Sequence, residues 1–328
     1  MFNLVGLTSK KATFFKVAFF ITGLMMLSSC NAAEPAYAFI TNQLSDDVSI
    51  IDIASQKVIK TIPVGERPAG IAVSTQGQLA FVSNPDSQDI SVIDTNTLSV
   101  IKHIPVGVGP VGIASNDDGS QVYVADWYKD KISVVDPQSS KIVSTISVGE
   151  SPAGLLVDDK QQRLYVANRD SNSVSIINTE TLTIESEVTV GKAPFGLALS
   201  PNGDVLYSVN VQSSDVSVID LQQNKVVKTV AAGEWPYCAI VSPDGNMLYV
   251  TNQDENTVSI LNTQDYSSIA VVEVDETPEG IDITNDGRFV YIANWSNGTV
   301  SILDTASNKI VNTVATGKGS RAFGLFIN

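Results

Sequence analysis

Residues 164–205 read LYVANRDSNSVSIINTETLTIESEVTVGKAPFGLALSPNGDV. Four short apolar runs, at 164–168, 174–178, around 184–190 and at 195–200, are separated by turn chemistry. Each has the length of a strand and is rich in β-branched and aromatic residues. Ser200-Pro201-Asn202-Gly203 is a tight turn, with Pro201 pre-setting its own φ and Gly203 free to take a positive one. The strands do not alternate cleanly between apolar and polar. VSII-type blocks are apolar on both faces, as a sheet sandwiched between two neighbours requires. No helical period runs through the chain beyond its leader, so the unit is a four-stranded antiparallel sheet.

The unit recurs every 42 residues. Asn42, Asn84, Asp126, Asn168, Asn210, Asn252 and Asn294 keep one register, and Phe39, Phe81, Tyr123, Tyr165, Tyr207, Tyr249 and Tyr291 lie three positions before them. A second block of the form V/I-S-I/V-I/V/L-D/N begins six residues after each. A strict period in this range means one supersecondary unit copied and stacked. Seven four-stranded sheets that each need a neighbour on both faces pack radially, which predicts an all-β, seven-bladed β-propeller over residues 36–328. The AFGLFI of residues 322–327 matches the PFGLAL of 194–199. The last strand is therefore expected to complete the blade begun by the first three, leaving no open end.

The block Tyr249-Val250-Thr251-Asn252, then Val258-Ser259-Ile260-Leu261-Asn262, with Pro243-Asp244-Gly245, resembles the signature of the YVTN-type repeat. The chain is similar to that family, which includes YncE-like and surface-layer-like propellers, over the whole of 36–328. The resemblance implies a propeller and a range of roles: binding proteins, cell-surface proteins, lactonase-like enzymes and redox-enzyme subunits. A propeller is a platform, and function lives on sites grafted to it.

Residues 1–30 stand outside the repeat. Lys10, Lys11 and Lys16 precede the apolar run 17–27, which is too short for a comfortable membrane span and reads as a signal-peptide core. Leu27-Ser28-Ser29-Cys30 resembles a bacterial lipobox, with Cys30 the lipidated residue, 31–35 a short tether and Asn31 favouring the outer membrane. Ordinary secretion to the periplasm is the alternative. Loss of the leader leaves 17 basic residues against 35 acidic. That surplus argues against nucleic acid as a partner and suits an extracytoplasmic, monomeric ring. Cys238 is then the only thiol, so no intramolecular disulfide forms; it takes the place that Gly70, Gly112, Gly154, Gly196 and Gly280 hold in other copies.

Catalytic constellations are sparse. There is no C-x-x-C-H for covalent haem, and the cofactor stays unknown. The single histidine, His103, takes a place held elsewhere by Thr61, Thr145, Glu187, Thr229 and Thr313. That argues against a Ser-His-Asp triad or a structural zinc site. A carboxylate site for a hard cation stays open, although the D-x-N turns at Asp170 and Asp254 are read as turn chemistry.

The informative departures fall in two loop sets expected to share one face. After the repeated Asn come Trp127-Tyr128, Arg169 and Trp295, where other copies carry Gln43, Pro85, Val211 or Gln253. The G-x-x-P-x-G loops carry Arg67, Phe195, Trp235 and Tyr237, with Glu66, Glu150, Glu234, Glu276 and Glu279 around the same mouth. The last such loop, 317–324, brings Arg321 and reads as two residues longer than its counterparts; Asp275 replaces a glycine in the loop before it. Exposed aromatics among arginines and carboxylates make a recognition surface for a protein, glycan or small ligand. Against that, the rings could pack as lids over the end of the propeller. A lactonase- or lyase-like enzyme, or an accessory subunit of a periplasmic redox system, are the competing functions.

Overall fold

The computed structural model describes residues 36–328 except Thr75; Cys30 and the leader lie outside the described residues. Among the described residues, twenty-seven strands form six four-stranded antiparallel sheets and one of three strands. The three-stranded sheet is β1 (Tyr37–Asn42), β2 (Asp47–Asp52) and β3 (Lys57–Pro63), here blade 1. Blade 2 opens with β4 (Ile71–Ser74), and blades 3 to 7 open with the inner strands Pro110–Ser115, Pro152–Asp158, Pro194–Leu199, Pro236–Val241 and Pro278–Ile283.

The repeat is written in one buried polar contact. The Asn side chain donates from Nδ2 to the serine seven residues on, across the second and third strands of its blade. The distances are 2.9 Å for Asn42–Ser49, 2.8 Å for Asn168–Ser175 and 2.9 Å for Asn252–Ser259. A buried polar group without a partner is costly, so the pair recurs wherever the blade does. Asp126 is the exception. A carboxylate has no N–H to give, and both Asp126 Oδ2 and Ser133 Oγ are buried without a partner.

Glycine in the inner strand is set by blade spacing. A Cβ at Gly112 would collide with the Ala153 carbonyl, and one at Gly154 with that of Phe195. Adjacent inner strands approach backbone to backbone there, around a central tunnel.

The ring closes as the sequence implies, with one difference. Ser320 pairs with Asn42 and Ile327 with Ala38, antiparallel to β1. Arg321 N–H donates to the Thr41 carbonyl (2.9 Å), and Phe39 N–H to that of Phe326 (2.9 Å). The loop before this segment is not longer than its counterparts. Ser320 faces Asn42 as Pro278 faces Asn294, and Ala322 N–H bonds Thr41 Oγ1 as Cys238 N–H bonds Thr251 Oγ1. The two extra residues lie inside the strand, after Ala322. There the chain swings toward blade 2, where the Phe323 and Leu325 carbonyls accept from Ile71 and Val73 N–H (2.7 and 3.0 Å). Asp282, on the inner strand of blade 7, grips the segment from the other side: its Oδ2 accepts from Phe326 N–H (2.7 Å) and Ile327 N–H (2.9 Å).

Candidate functional site

Both loop sets lie on one face, because each second strand ends at its repeated Asn beside the start of its own blade's inner strand: Pro194 pairs with Asn210 and Pro236 with Asn252. On this face one residue per blade, at intervals of 42, lies at the tunnel mouth. The set is Ala69, Val111, Ala153, Phe195, Tyr237, Glu279 and Arg321. Three small apolar residues on one side leave room for two rings and an ion pair from the other.

Those larger side chains seal the tunnel. Phe195 is buried (4% exposed) and stacks on Tyr237 with centroids 4.2 Å apart. Phe323, delivered by the extra residues in the closing strand, meets Phe195 edge-on at 5.0 Å. Arg321 lies over Phe323 (4.4 Å) and donates from Nε to Glu279 Oε2 (2.7 Å) and from Nη2 to the Tyr237 hydroxyl (3.3 Å). Gln253 Nε2 donates to Glu279 Oε1 (3.1 Å). Burial works against the Glu279 carboxylate, while Arg321 and Gln253 work for it. Against the cost of its own burial, Arg321 has its pKa raised by that carboxylate and keeps its charge. Burial, with Glu279 close by, pushes the Tyr237 phenol far up. It does the same to the Cys238 thiol beneath, which stays protonated and is a poor nucleophile.

Trp127 stands at the edge of this plug, 6.5 Å from Phe195, with the Arg169 guanidinium 5.8 Å above its ring. Arg169 is paired with Asp170 (2.6 Å). Tyr128 is 72% exposed and its ring lies across Gly109, where a Cβ would strike it. The turn that presents it is the one built on Asp126, whose Oδ1 accepts the Tyr128 N–H (3.2 Å). Trp235 is 40% exposed and sits at φ 54°, the left-handed turn position that Arg67, Ser151, Ala193 and Thr277 hold in other blades and Gly109 in blade 3. Left-handed backbone disfavours so large a side chain.

The structure thus brings together Trp127, Arg169, Phe195, Tyr237 and Arg321, and places Tyr128 and Trp235 on the rim. Trp295 is not among them. It lies at the seam, where its Nε1–H donates to Gln43 Oε1 (3.1 Å). Arg67 takes the same rim position as Trp235 in another blade, and lies 4.0 Å from Asp86 on an exposed loop. Sequence reasoning missed Phe323 as a wall of the site. Glu279 was visible only as one of five glutamates, yet it alone of them is buried. Asp282 was missed altogether, although a lone charge where the other copies carry Ala72, Ala114, Leu156, Ala198 and Ile240 was a signal. Asp275 has an account: it accepts from Thr299 Oγ1 (2.6 Å).

Two other chemistries can be weighed from geometry. His103 lies 3.3 Å from Asp89 and 3.2 Å from Ser91 Oγ, but both contacts fall on the same ring nitrogen, Nδ1. A relay needs one partner on each nitrogen, so this trio is no triad. No cluster of three or more His, Cys, Asp or Glu side chains suited to a metal occurs among the described residues. Asn172 and Asn256, from the D-x-N turns, accept the Ala193 and Thr277 N–H groups of the neighbouring loops (2.8 and 2.9 Å).

Comparison with known proteins agrees with this architecture. A family model described as YNCE-like beta-propeller matches residues 72–163, and one described as lactonase, 7-bladed beta-propeller, matches 138–227 and 220–322. No curated protein matches the sequence. Hydrazine synthase of Kuenenia stuttgartiensis is similar in structure, with a TM-score of 0.70 and 23% identity, over 77% of this chain and 87% of that one. A functionally unknown protein from Desulfotomaculum acetoxidans gives 0.75 and 15%, over 88% and 99%. The dihydro-heme d1 dehydrogenase NirN, in complex with DHE, gives 0.66 and 15%, over 85% and 63%.

Proposed function

This chain belongs to the seven-bladed β-propellers that the YncE-like and lactonase models describe, and from that premise we propose that it is a binding propeller whose loop face holds a protein partner. The observation that carries the reading is the pair of exposed rings, Tyr128 and Trp235, set around a mouth closed by Phe195, Tyr237, Phe323 and the Glu279–Arg321 pair. A sealed mouth offers a broad platform rather than a deep cleft. Large aromatics with an arginine beside them are the anchors that dominate protein interfaces.

The partner is further proposed to be a redox protein, a reading supported by the names of two structural neighbours, hydrazine synthase and dihydro-heme d1 dehydrogenase. The site is extracytoplasmic in this reading, tethered by a lipid on Cys30. Residue 36 enters β1 at the end opposite the loop face, where its carbonyl accepts from Ile53 N–H (3.0 Å). An anchor there would turn the aromatic face away from the membrane.

The test is cross-linking and affinity capture with native protein and a Tyr128→Ala/Trp235→Ala variant. Truncating two anchors is expected to remove about 2–4 kcal/mol each of binding energy while the melting transition stays in place. Capture of the same partner by the folded variant would overturn the assignment. The lactonase match supports a second reading, hydrolysis of a lactone, which a substrate panel on the same two proteins would detect.

A further inference from the structure

We propose that the seam between blades 7 and 1 carries a second site, for the pyranose ring of an uncharged glycan, separate from the Tyr128–Trp235 platform. A groove of about 740 Å³ opens there between the turn after Asn294, the loop before the closing strand, and the outer strands of blade 1. Its wall is Trp295. The indole edge is fixed by the bond from Nε1 to Gln43 and by the close approach of Gly319, at φ 70°, where a Cβ would sit 3.1 Å from the same nitrogen. Leu44, 45% exposed, adds a second apolar surface.

The rest of the lining is polar, with capacity left over. Asp47 uses Oδ1 to accept from Asn42 (2.6 Å), and Asn297 uses Oδ1 to accept the Glu276 N–H (2.6 Å). That leaves a carboxylate oxygen and an amide N–H₂ for a ligand. Lys318 has no ion-pair partner among the described residues. What sets the seam apart is the Trp295 wall; blade 1 carries the short Thr61, as blades 3, 5 and 7 carry Thr145, Thr229 and Thr313, whereas blades 2 and 4 carry His103 and Glu187. Those longer side chains bond Ser91 and Asp89, or Ser173, and fill the space.

A sugar ring has an apolar face of axial C–H groups and a rim of hydroxyls that both donate and accept. An anchored indole beside one carboxylate, one amide and one ammonium answers both halves. The mixed charges of Asp47 and Lys318 favour a neutral ligand over an anion.

Calorimetry with cellobiose and chitobiose as probes, and sorbitol as a ringless polyol control, tests the site on the whole propeller. At least one disaccharide is expected to bind and sorbitol not. Trp295→Ala is expected to weaken binding roughly tenfold or more, the effect of removing one anchoring contact. Thr61→Trp, which fills the groove and leaves Trp295 in place, is expected to abolish it even if Trp295→Ala folds poorly. The Tyr128→Ala/Trp235→Ala protein is expected to bind sugar normally, so loss of the protein partner and loss of this site read out separately. Absence of binding by both disaccharides, or binding that survives Thr61→Trp, overturns the proposal.

Discussion

Replacing Asp282 by Asn probes the ring closure through its pH dependence. The carboxyl is buried in the inner strand of blade 7 and is pushed up from 3.8 to about 7 by that burial, against the Ile283, Ile327 and Phe326 N–H groups that favour the anion. A carboxyl raised on folding stabilises the fold below its unfolded value and loses that contribution as pH rises through the folded one. With about 1.36 kcal/mol per unit, the contribution present at pH 5 and gone by pH 8 is about 2–3 kcal/mol. Asparagine keeps one oxygen for the closing strand and cannot ionise. It leaves a buried N–H short of an acceptor, at a cost of about 1–3 kcal/mol that does not change with pH. Urea unfolding of both proteins at pH 5 and 8 should therefore show the native protein's advantage over Asp282→Asn shrinking by that 2–3 kcal/mol at the higher pH. Parallel behaviour of the two proteins would refute the reasoning. An advantage that grows with pH would show that the three N–H donors outweigh burial.

Two further outcomes are expected. Glu279→Ala leaves the Arg321 guanidinium buried without its carboxylate and should cost about 3–5 kcal/mol in urea unfolding, whereas Glu279→Met with Arg321→Met should come close to native stability; equal losses would argue against a coupled pair. Cys30→Ser should move the protein from the membrane fraction to the soluble extracytoplasmic fraction, or leave an unprocessed precursor, and unchanged fractionation and migration would remove the lipobox from consideration.

The ring was legible in the sequence because one physical problem is solved repeatedly. The Asn-to-Ser spacing of seven and the aromatic three before it are required inside each blade, and the glycine against a neighbouring carbonyl wherever two blades meet. A requirement met that often stands out without any propensity argument. The rings of the loop face were legible as departures from that pattern, but their grouping was not. Trp127 and Trp295 share a register position, yet one borders the plug and the other faces the seam. What separates them is what each meets, Arg169 and Phe195 for Trp127 and Gln43 and Gly319 for Trp295, while the swing of the chain after Ala322 occurs once and so has no period to reveal it. Phe323 enters the mouth by the same irregularity. Arg321 and its carboxylate partner Glu279 were both identifiable by counting in 42s, while the burial that makes this the paired glutamate was not.

The closing strand also orders events in time. Ala322 N–H meets Thr41 Oγ1 across 281 residues of sequence, so the blade synthesised first is the blade completed last. Until that contact forms, the other blades exist as an open arc with an uncovered apolar face at each end, a geometry slow to search and prone to pairing with other chains. Asp282, Thr41 and the Ile71 backbone converge on this one segment from three blades, so its docking ties blades 7, 1 and 2 together. Docking of this segment is therefore the step that finishes the ring.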